Sequence, residues 1–142
     1  VNGRLRALHS PDGAVVIDDC YNANPGSVRA AIDMLASCAG QRTLVLGLMG
    51  ELGENSAALH REIGEYALEA GIDQLWGVGA ELESCVAAFG AGGRHFADRA
   101  AAQVALDGQF GEGDTVLVKG SRSAGMEQLL QVLLPEQTAG EH

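Results

Sequence analysis

The order of hydrophobic and polar positions along this chain of 142 residues alternates between strand-like and helix-like segments. Residues 4–8 alternate with period two, which is typical of a half-exposed strand. A Pro-Asp-Gly turn then leads into an apolar run at residues 14–18, which favours a buried strand paired with the first. Further runs predict strands at residues 43–46, 74–78, 94–96 and 115–118. The pattern therefore predicts six strands.

Apolar residues recur at helical spacing between these strands, with start and stop signals at the helix ends. Asn24 followed by Pro25 predicts the start of the first helix, and Gly40 its end. Further helices are predicted over residues 55–70, 81–89 and 98–106, with a last helix ended by Pro135. Because strands and helices alternate, we expect an α/β, Rossmann-like domain with about five helices on both faces of a mostly parallel six-stranded sheet. The first hairpin adds one antiparallel edge strand.

Length, composition and charge exclude several classes of protein. A chain of this length suits one domain, expected over residues 1–135, with a frayed polar tail at 136–142. The hydrophobic fraction of 46% excludes a disordered chain. Nineteen acidic and nine basic side chains give a net charge of −10, which argues against nucleic acid as a partner. No stretch approaches the roughly 18 consecutive apolar residues of a membrane span.

Three cysteines, Cys20, Cys38 and Cys85, are odd in number and widely spaced. They form neither a disulfide framework nor a CxxC metal pair, which favours a reduced, cytoplasmic compartment. Cys38 and Cys85 are interpreted as small buried hydrophobes, and the role of Cys20 stays open. The chain opens at Val1 without an initiator Met or a signal peptide, so we expect a domain of a longer protein.

The first group of candidate functional residues is the run DDCYNANP at residues 18–25, where a predicted buried strand ends. Ligands in open α/β sheets bind beyond the carboxyl ends of the strands. Two carboxylates there are costly unless they are paired or face a ligand, so Asp18 or Asp19 could accept hydrogen bonds from ribose hydroxyls. Asn22 and Asn24 could bind the polar edge of a small molecule. In the alternative interpretation, Asp18 and Asn24 only cap the helix and bridge the loop.

The second run, GLMGELG at residues 47–53, matches neither the dinucleotide fingerprint nor the Walker A pattern. Glu51 is either a functional carboxylate or a solvated loop charge, and the spacing favours the latter. His60 lies in the following helix with no second histidine nearby, which favours a structural role over metal binding. We therefore predict no metal site in this chain.

The third run, KGSRSAG at residues 119–125, follows an apolar strand and is predicted to open a helix. Backbone N–H groups, the helix dipole and two cations would converge there, which favours an anion. Carboxylate and phosphate both fit this chemistry. The predicted substrate-binding residues are Lys119, Ser121 and Arg122.

The three runs, together with His60 and the Gly-Met-Glu at residues 125–127, occur in an order and spacing that resembles the C-terminal domain of the Mur ligase family. The resemblance extends from Gly3 to Leu134. It implies a bacterial cytoplasmic, ATP-dependent ligase that adds D-alanyl-D-alanine to UDP-N-acetylmuramoyl-tripeptide through an acyl phosphate, for peptidoglycan synthesis. It also implies N-terminal and central domains outside this chain, the central one holding the phosphate loop and Mg²⁺. We expect the isolated domain to be inactive and monomeric.

The resemblance also implies roles for single residues. Arg4 matches a Gly-Arg that reaches ATP at the domain boundary, and Asp19 or its neighbour Asp18 matches the carboxylate that holds the ribose. Asn22 and Asn24 lie where related ligases place residues near the adenine or the reaction centre. The side chains expected near the dipeptide and its carboxylate are Lys119, Ser121 and Arg122.

The chain departs from the family pattern in one place, and a different class of protein remains as an alternative. The family usually has Gly-Asp-Met where this chain has Gly-Leu-Met at residues 47–49, so the carboxylate of that loop is lost. The alternative is a stand-alone Rossmann-like binding or regulatory domain for a nucleotide or another small molecule.

Overall fold

The computed structural model describes residues 5–50 and 52–135, and over this part of the chain it contains six strands and five helices. The strands are β1 (Arg6–His9), β2 (Val15–Asp19), β3 (Gln41–Leu46), β4 (Gln74–Val78), β5 (Gly93–Phe96) and β6 (Asp114–Lys119). The helices are α1 (Pro25–Ala36), α2 (Ser56–Ala70), α3 (Glu83–Phe89), α4 (Arg99–Leu106) and α5 (Glu127–Leu133). The predicted alternation of strands and helices is confirmed.

The six strands form one sheet in the order β1-β2-β6-β3-β4-β5. β1 pairs with β2 in antiparallel fashion, and the other neighbours are parallel, which confirms the predicted antiparallel edge. The last strand, β6, lies between β2 and β3. The three strands that precede the candidate runs are therefore adjacent, and their carboxyl ends meet at one edge of the sheet.

Helices cover both faces of the sheet, as predicted. One core contains Ile17, Leu44 and Leu117 from the strands and packs against α1, α2 and α3. The other contains residues that alternate with these, such as Val45 and Val116, and packs against α4 and α5. Burial on both faces explains why these strands are continuous apolar runs instead of alternating ones.

Two glycines bring the loops after β3 and β6 close together. A Cβ atom on Gly47 would lie 2.6 Å from Sδ of Met126, and one on Gly120 would lie 2.5 Å from its Cγ. Both distances are too short for a side chain, so only glycine lets the two loops pack against this buried methionine.

Several predictions from the sequence lie outside the described residues, namely those for Arg4, Glu51 and the tail at 136–142. Among the helices of the described ranges, none has the length and apolar character that a membrane crossing requires.

Candidate functional site

A buried ion pair joins the carboxyl ends of β2 and β6. Asp19 and Lys119 are register partners in the parallel sheet, and Lys119 Nζ donates to Asp19 Oδ2 at 2.8 Å. Only 4% of the Lys119 side chain and 13% of the Asp19 side chain are exposed. Burial raises the pKa of the Asp19 carboxyl above its ordinary value, and the Lys119 ammonium opposes that shift. The sequence predicted both residues as site residues but did not predict that they bind each other.

A cleft of about 320 Å³ opens beside this ion pair, between α1 and the loop that follows β2. Its polar lining is formed by Asp19, Asn22, Asn24, Ser27 and Lys119. Its apolar lining is formed by Leu5, Tyr21, Ala30, Ala31 and Met34. Three of the predicted nucleotide-binding residues and one predicted substrate-binding residue therefore share one cleft.

Asp18 and Asp19 are neighbours in a strand, so their side chains point to opposite faces of the sheet. Asp18 Oδ2 accepts a hydrogen bond from Arg6 Nη2 at 2.7 Å, and its Oδ1 accepts one from the Cys20 N–H at 3.2 Å. These contacts bind Asp18 to the edge strand and to its own loop. Of the two candidate carboxylates, Asp19 is the one that lines the cleft.

Asn24 is the N-cap of α1, as the sequence predicted. Its Oδ1 accepts from the Ser27 N–H at 2.9 Å, and Ser27 Oγ accepts from the Asn24 N–H at 3.0 Å, which forms a capping box. Asn22 is exposed, and its Oδ1 accepts from the N–H of Ala23 at 2.9 Å. Asn24 therefore caps α1 and also lines the cleft.

The run at residues 119–125 does not open a helix, which corrects the prediction. A single 3₁₀ turn, Arg122–Ala124, follows β6, and α5 begins only at Glu127. Gly125 separates the two with a φ of 62°, in the left-handed region that favours glycine. The predicted anion site therefore does not have the N-terminus of a long helix beneath it.

The remaining predicted substrate-binding residues differ in exposure. Ser121 is buried; its N–H donates to the Leu48 carbonyl at 2.8 Å, and its hydroxyl lies 3.0 Å from that of Ser123. Arg122 is exposed, and its guanidinium lies 5.0 Å from the centre of the Tyr21 ring. Ser121 thus ties loops together, whereas Arg122 is presented to solvent.

His60 has the structural role that the sequence favoured. It is fully buried; Nε2 accepts from the Met49 N–H at 3.0 Å, and Nδ1 donates to the Ser56 carbonyl at 2.8 Å. A neutral imidazole satisfies both bonds, since one ring nitrogen accepts and the other donates. The histidine thereby fixes the loop after β3. Within residues 5–50 and 52–135, no group of three or more His, Cys, Asp or Glu side chains could hold a metal ion.

The model of the family described as "Mur ligase, glutamate ligase domain" matches residues 3–122 of this chain. The chain belongs to the Mur ligase family. It is 44% identical over 135 residues to the UDP-N-acetylmuramoyl-tripeptide–D-alanyl-D-alanine ligase of Escherichia coli K12, covering 94% of this chain and 30% of that protein. The ligase of the same name from Mycobacterium tuberculosis H37Rv is 36% identical, with 96% of this chain and 32% of that protein covered.

Solved structures agree with this membership of the Mur ligase family. A crystal structure of MurF from Acinetobacter baumannii matches with a TM-score of 0.83 and 32% identity, covering 94% of this chain and 30% of that one. MurF from Thermotoga maritima, solved in complex with ADP, matches with a TM-score of 0.79 and 28% identity over the same shares. This Mur ligase chain therefore spans about 30% of the length of the relatives named here.

Sequence reasoning missed the apolar side of the cleft in this Mur ligase domain. Ala30, Ala31 and Met34 lie at helical spacing after the N-cap, so one face of α1 could have been recognised as lining whatever the N-cap region binds. Tyr21 lies inside the first run and is 45% exposed. Aromatic residues make up only 4% of the chain. An aromatic residue within a polar motif was therefore a signal that Tyr21 belongs to the site.

Cys20, whose role the sequence left open, is a buried structural residue of this Mur ligase domain. Its Sγ donates to the Val118 carbonyl at 3.5 Å. Burial, and then the nearby Asp18 carboxylate, raise the pKa of the Cys20 thiol far above its ordinary value. Burial likewise raises the pKa of Cys85 to about 12. Both thiols stay protonated near neutral pH, which makes them poor nucleophiles.

Proposed function

We propose that this chain is the C-terminal domain of an ATP-dependent ligase that adds D-alanyl-D-alanine to UDP-N-acetylmuramoyl-tripeptide during peptidoglycan synthesis. The observation that carries this proposal is the 44% identity to the Escherichia coli ligase of that name across 94% of the chain. A stand-alone binding domain is not favoured, because the relatives that cover the chain are ligases. The proposal places the enzyme in the bacterial cytoplasm as a monomer.

The cleft suits the ribose and base of a nucleotide. We assign the ribose to Asp19, because this carboxylate lines the cleft while Asp18 is bound to Arg6. Asn22 and Asn24 lie on the same lining and supply amide groups for the nucleotide. A relative with a TM-score of 0.79 was solved in complex with ADP, which supports a nucleotide as the ligand. Arg4, outside the described residues, keeps its proposed contact to ATP.

Lys119, Ser121 and Arg122 are assigned to the incoming dipeptide. Lys119 Nζ carries three N–H donors, of which one binds Asp19 within the described part of the chain. Arg122 presents its guanidinium to solvent at the same edge of the sheet. A carboxylate is the natural partner of both cations. Ser121 contributes by fixing the turn that carries Arg122.

In the proposed reaction, ATP transfers its γ-phosphoryl group to the tripeptide carboxylate, and ADP leaves. The dipeptide amine then attacks the acyl carbon, phosphate leaves, and the amine loses a proton to form the amide. This chain holds and orients two of the reactants, which lowers the entropic part of the barrier. We assign the phosphate loop and Mg²⁺ to the central domain of the longer protein, as the family resemblance implies.

A chimera tests the proposal. The segment of the Escherichia coli ligase that this chain matches is replaced by residues 1–142, and phosphate release is measured with ATP, Mg²⁺ and UDP-N-acetylmuramoyl-tripeptide. We expect release that depends on D-alanyl-D-alanine. The 142-residue chain alone should release none, because it holds only part of the reaction centre.

Two variants make the chimera informative. Lys119→Met should lower kcat/KM by at least about a hundredfold, since it removes a buried cation from the site. Val104→Ala, at a position that is 79% exposed on α4, should leave the rate unchanged. A folded chimera without dipeptide-dependent phosphate release would show that the proposed function is wrong.

A further inference from the structure

Tyr21 is an exposed aromatic residue at the rim of the cleft. Its side chain lies in the loop between β2 and α1, where its neighbours Cys20 and Ala23 are buried. The residue is 45% exposed and also lines the cleft. Its position is therefore set by the buried residues around it, while one side of the ring remains available for a partner.

That partner is Arg122, from the loop after β6. The guanidinium carbon lies 5.0 Å from the centre of the Tyr21 ring, within the about 6 Å range of a cation–π contact. The backbone on both sides of Arg122 is anchored. The Ser121 N–H donates to Leu48, and Arg99 Nη1 donates to the Gly125 carbonyl at 3.2 Å. The turn is therefore anchored, and among the described residues the guanidinium has its contact with the Tyr21 ring.

Arg122 also differs from three of the other described arginines. Arg6, Arg29 and Arg42 each form an ion pair with a carboxylate. Within residues 5–50 and 52–135, the Arg122 guanidinium forms none. A cation–π contact with a ring uses none of the guanidinium N–H donors, so they remain available to bind an anion.

Of the two cations assigned to the dipeptide, Arg122 is the one whose charge no carboxylate of the described residues offsets. Lys119 is paired with Asp19, so the two together carry no net charge at the cleft. The chain as a whole carries −10, which repels an anionic substrate at long range. A cation held at a fixed place on the rim offsets that repulsion locally.

We propose that Tyr21 is a positioning residue that holds the Arg122 guanidinium at the rim of the cleft, where it binds the carboxylate of the incoming dipeptide. This inference rests on the proposed function, and it adds Tyr21 as a residue that acts through Arg122. In this role the ring acts on the dipeptide only through Arg122. Its contribution is to reduce the rotamer freedom that Arg122 would otherwise lose on binding.

The test measures substrate affinity in the chimera described above. Tyr21→Leu should raise the KM for D-alanyl-D-alanine about fivefold to tenfold and leave kcat within about twofold. The KM for ATP should rise less than the dipeptide KM, although the ring also lines the nucleotide cleft. Tyr21→Phe should have the same KM for D-alanyl-D-alanine as the wild type, because phenylalanine keeps the ring. Arg122→Lys, which keeps the charge but loses the planar guanidinium, should raise the dipeptide KM as Tyr21→Leu does.

A double variant separates positioning from mere proximity. If Tyr21 acts through Arg122, then Tyr21→Leu should add nothing to the larger KM increase of Arg122→Ala. The chain supplies a matched control, because Arg29 lies 5.9 Å from the Tyr66 ring, between α1 and α2. Tyr66→Leu removes the other tyrosine–arginine contact and should leave the dipeptide KM unchanged.

A spectroscopic measurement on the 142-residue chain reports directly on the contact between the Tyr21 ring and the Arg122 side chain. The δ-proton resonances of Arg122 should be shifted upfield by the ring in the wild type and in Tyr21→Phe, and should return to ordinary values in Tyr21→Leu. An active chimera in which Tyr21→Leu leaves the dipeptide KM unchanged, or in which the two substitutions add, overturns this inference alone. An unmodified chimera that is folded but inactive overturns the proposed function and this inference with it.

Discussion

Two aspartate–cation pairs lie at opposite ends of the parallel strands: Asp19 with Lys119 at the carboxyl ends, and Asp73 with Arg42 at the amino ends. The donor–acceptor distances are similar, 2.8 Å and 3.1 Å. The two carboxyls nevertheless shift in opposite directions. Burial raises the pKa of Asp19. The backbone N–H of Arg42, followed by its side chain, lowers the pKa of Asp73, which is 39% exposed. Burial decides the sign for Asp19, whereas the backbone hydrogen bond from Arg42 decides it for Asp73.

The cations differ in how their donors are used. Besides Asp73, Arg42 binds the carbonyl of Ala36 through Nη1 and that of Gly71 through Nη2, each at 2.6 Å. Those carbonyls close the ends of α1 and α2, so Arg42 caps two helices at once. Lys119 binds Asp19 with one donor and lies beside a cleft. One pair completes the fold, and the other retains donors for a ligand.

The largest effect is expected from Lys119→Met. The substitution leaves a mostly buried carboxylate without its cation, and the pKa of Asp19 should rise further because Lys119 now lowers it. Breaking a buried pair from one side typically costs about 3–5 kcal/mol of unfolding free energy. Urea denaturation of the 142-residue chain at pH 7 measures this loss. The double variant Asp19→Leu with Lys119→Met should recover at least half of it; a single-variant loss below about 1 kcal/mol contradicts the prediction.

Arg42→Met should come next, with a loss of about 2–3 kcal/mol, because three hydrogen bonds of a charged donor disappear. Methionine keeps the apolar stem, so the packing of β3 is retained. Urea denaturation gives the loss of stability. In the chimera, this variant should leave the KM for D-alanyl-D-alanine unchanged. A raised dipeptide KM would contradict the assignment of the Asp73–Arg42 pair to the fold and of the Asp19–Lys119 pair to the site.

The fold and the two ion pairs differ in how far they could be predicted from the sequence. Each strand and helix is specified locally, by apolar runs, by Asn24 with Pro25, and by glycine stops, so the elements and the fold class were predicted correctly. The position of β6 between β2 and β3 depends on contacts between distant segments, which no local pattern records. The pairing of Asp19 with Lys119 follows from that strand order and register, and so was not predicted.

The error at the third run has a similar cause. Its composition favoured a helix N-terminus directly after Lys119. The left-handed backbone of Gly125 instead delays α5 to Glu127 and leaves a short turn that carries Arg122. Conversely, the N-cap role of Asn24 and the structural role of His60 were predicted, because each depends mainly on residues a few positions away.

A smaller effect is expected from acid. The pKa of Asp73 is lowered in the folded state, so its contribution to stability is present above the unfolded value and is lost as the pH falls through the folded value. The wild type should therefore lose more stability than Asp73→Asn between about pH 5 and pH 2. Because Asp73 is 39% exposed, the difference should stay below about 1 kcal/mol. Urea denaturation across this pH range measures it, and parallel curves for the two proteins would contradict it.

The smallest signal, and the most direct, is the titration of the two carboxyl carbons by NMR. The midpoint of Asp19 should lie above its ordinary value of 3.8, and that of Asp73 below it. The signs imply opposite linkage. Ionising Asp19 disfavours the folded state as the pH rises through its midpoint, whereas ionising Asp73 favours it. Lys119→Met should move the Asp19 midpoint further upward and leave that of Asp73 in place. If both midpoints lay on the same side of 3.8, the burial of Asp19 and the backbone hydrogen bond to Asp73 would not separate the two pairs as described.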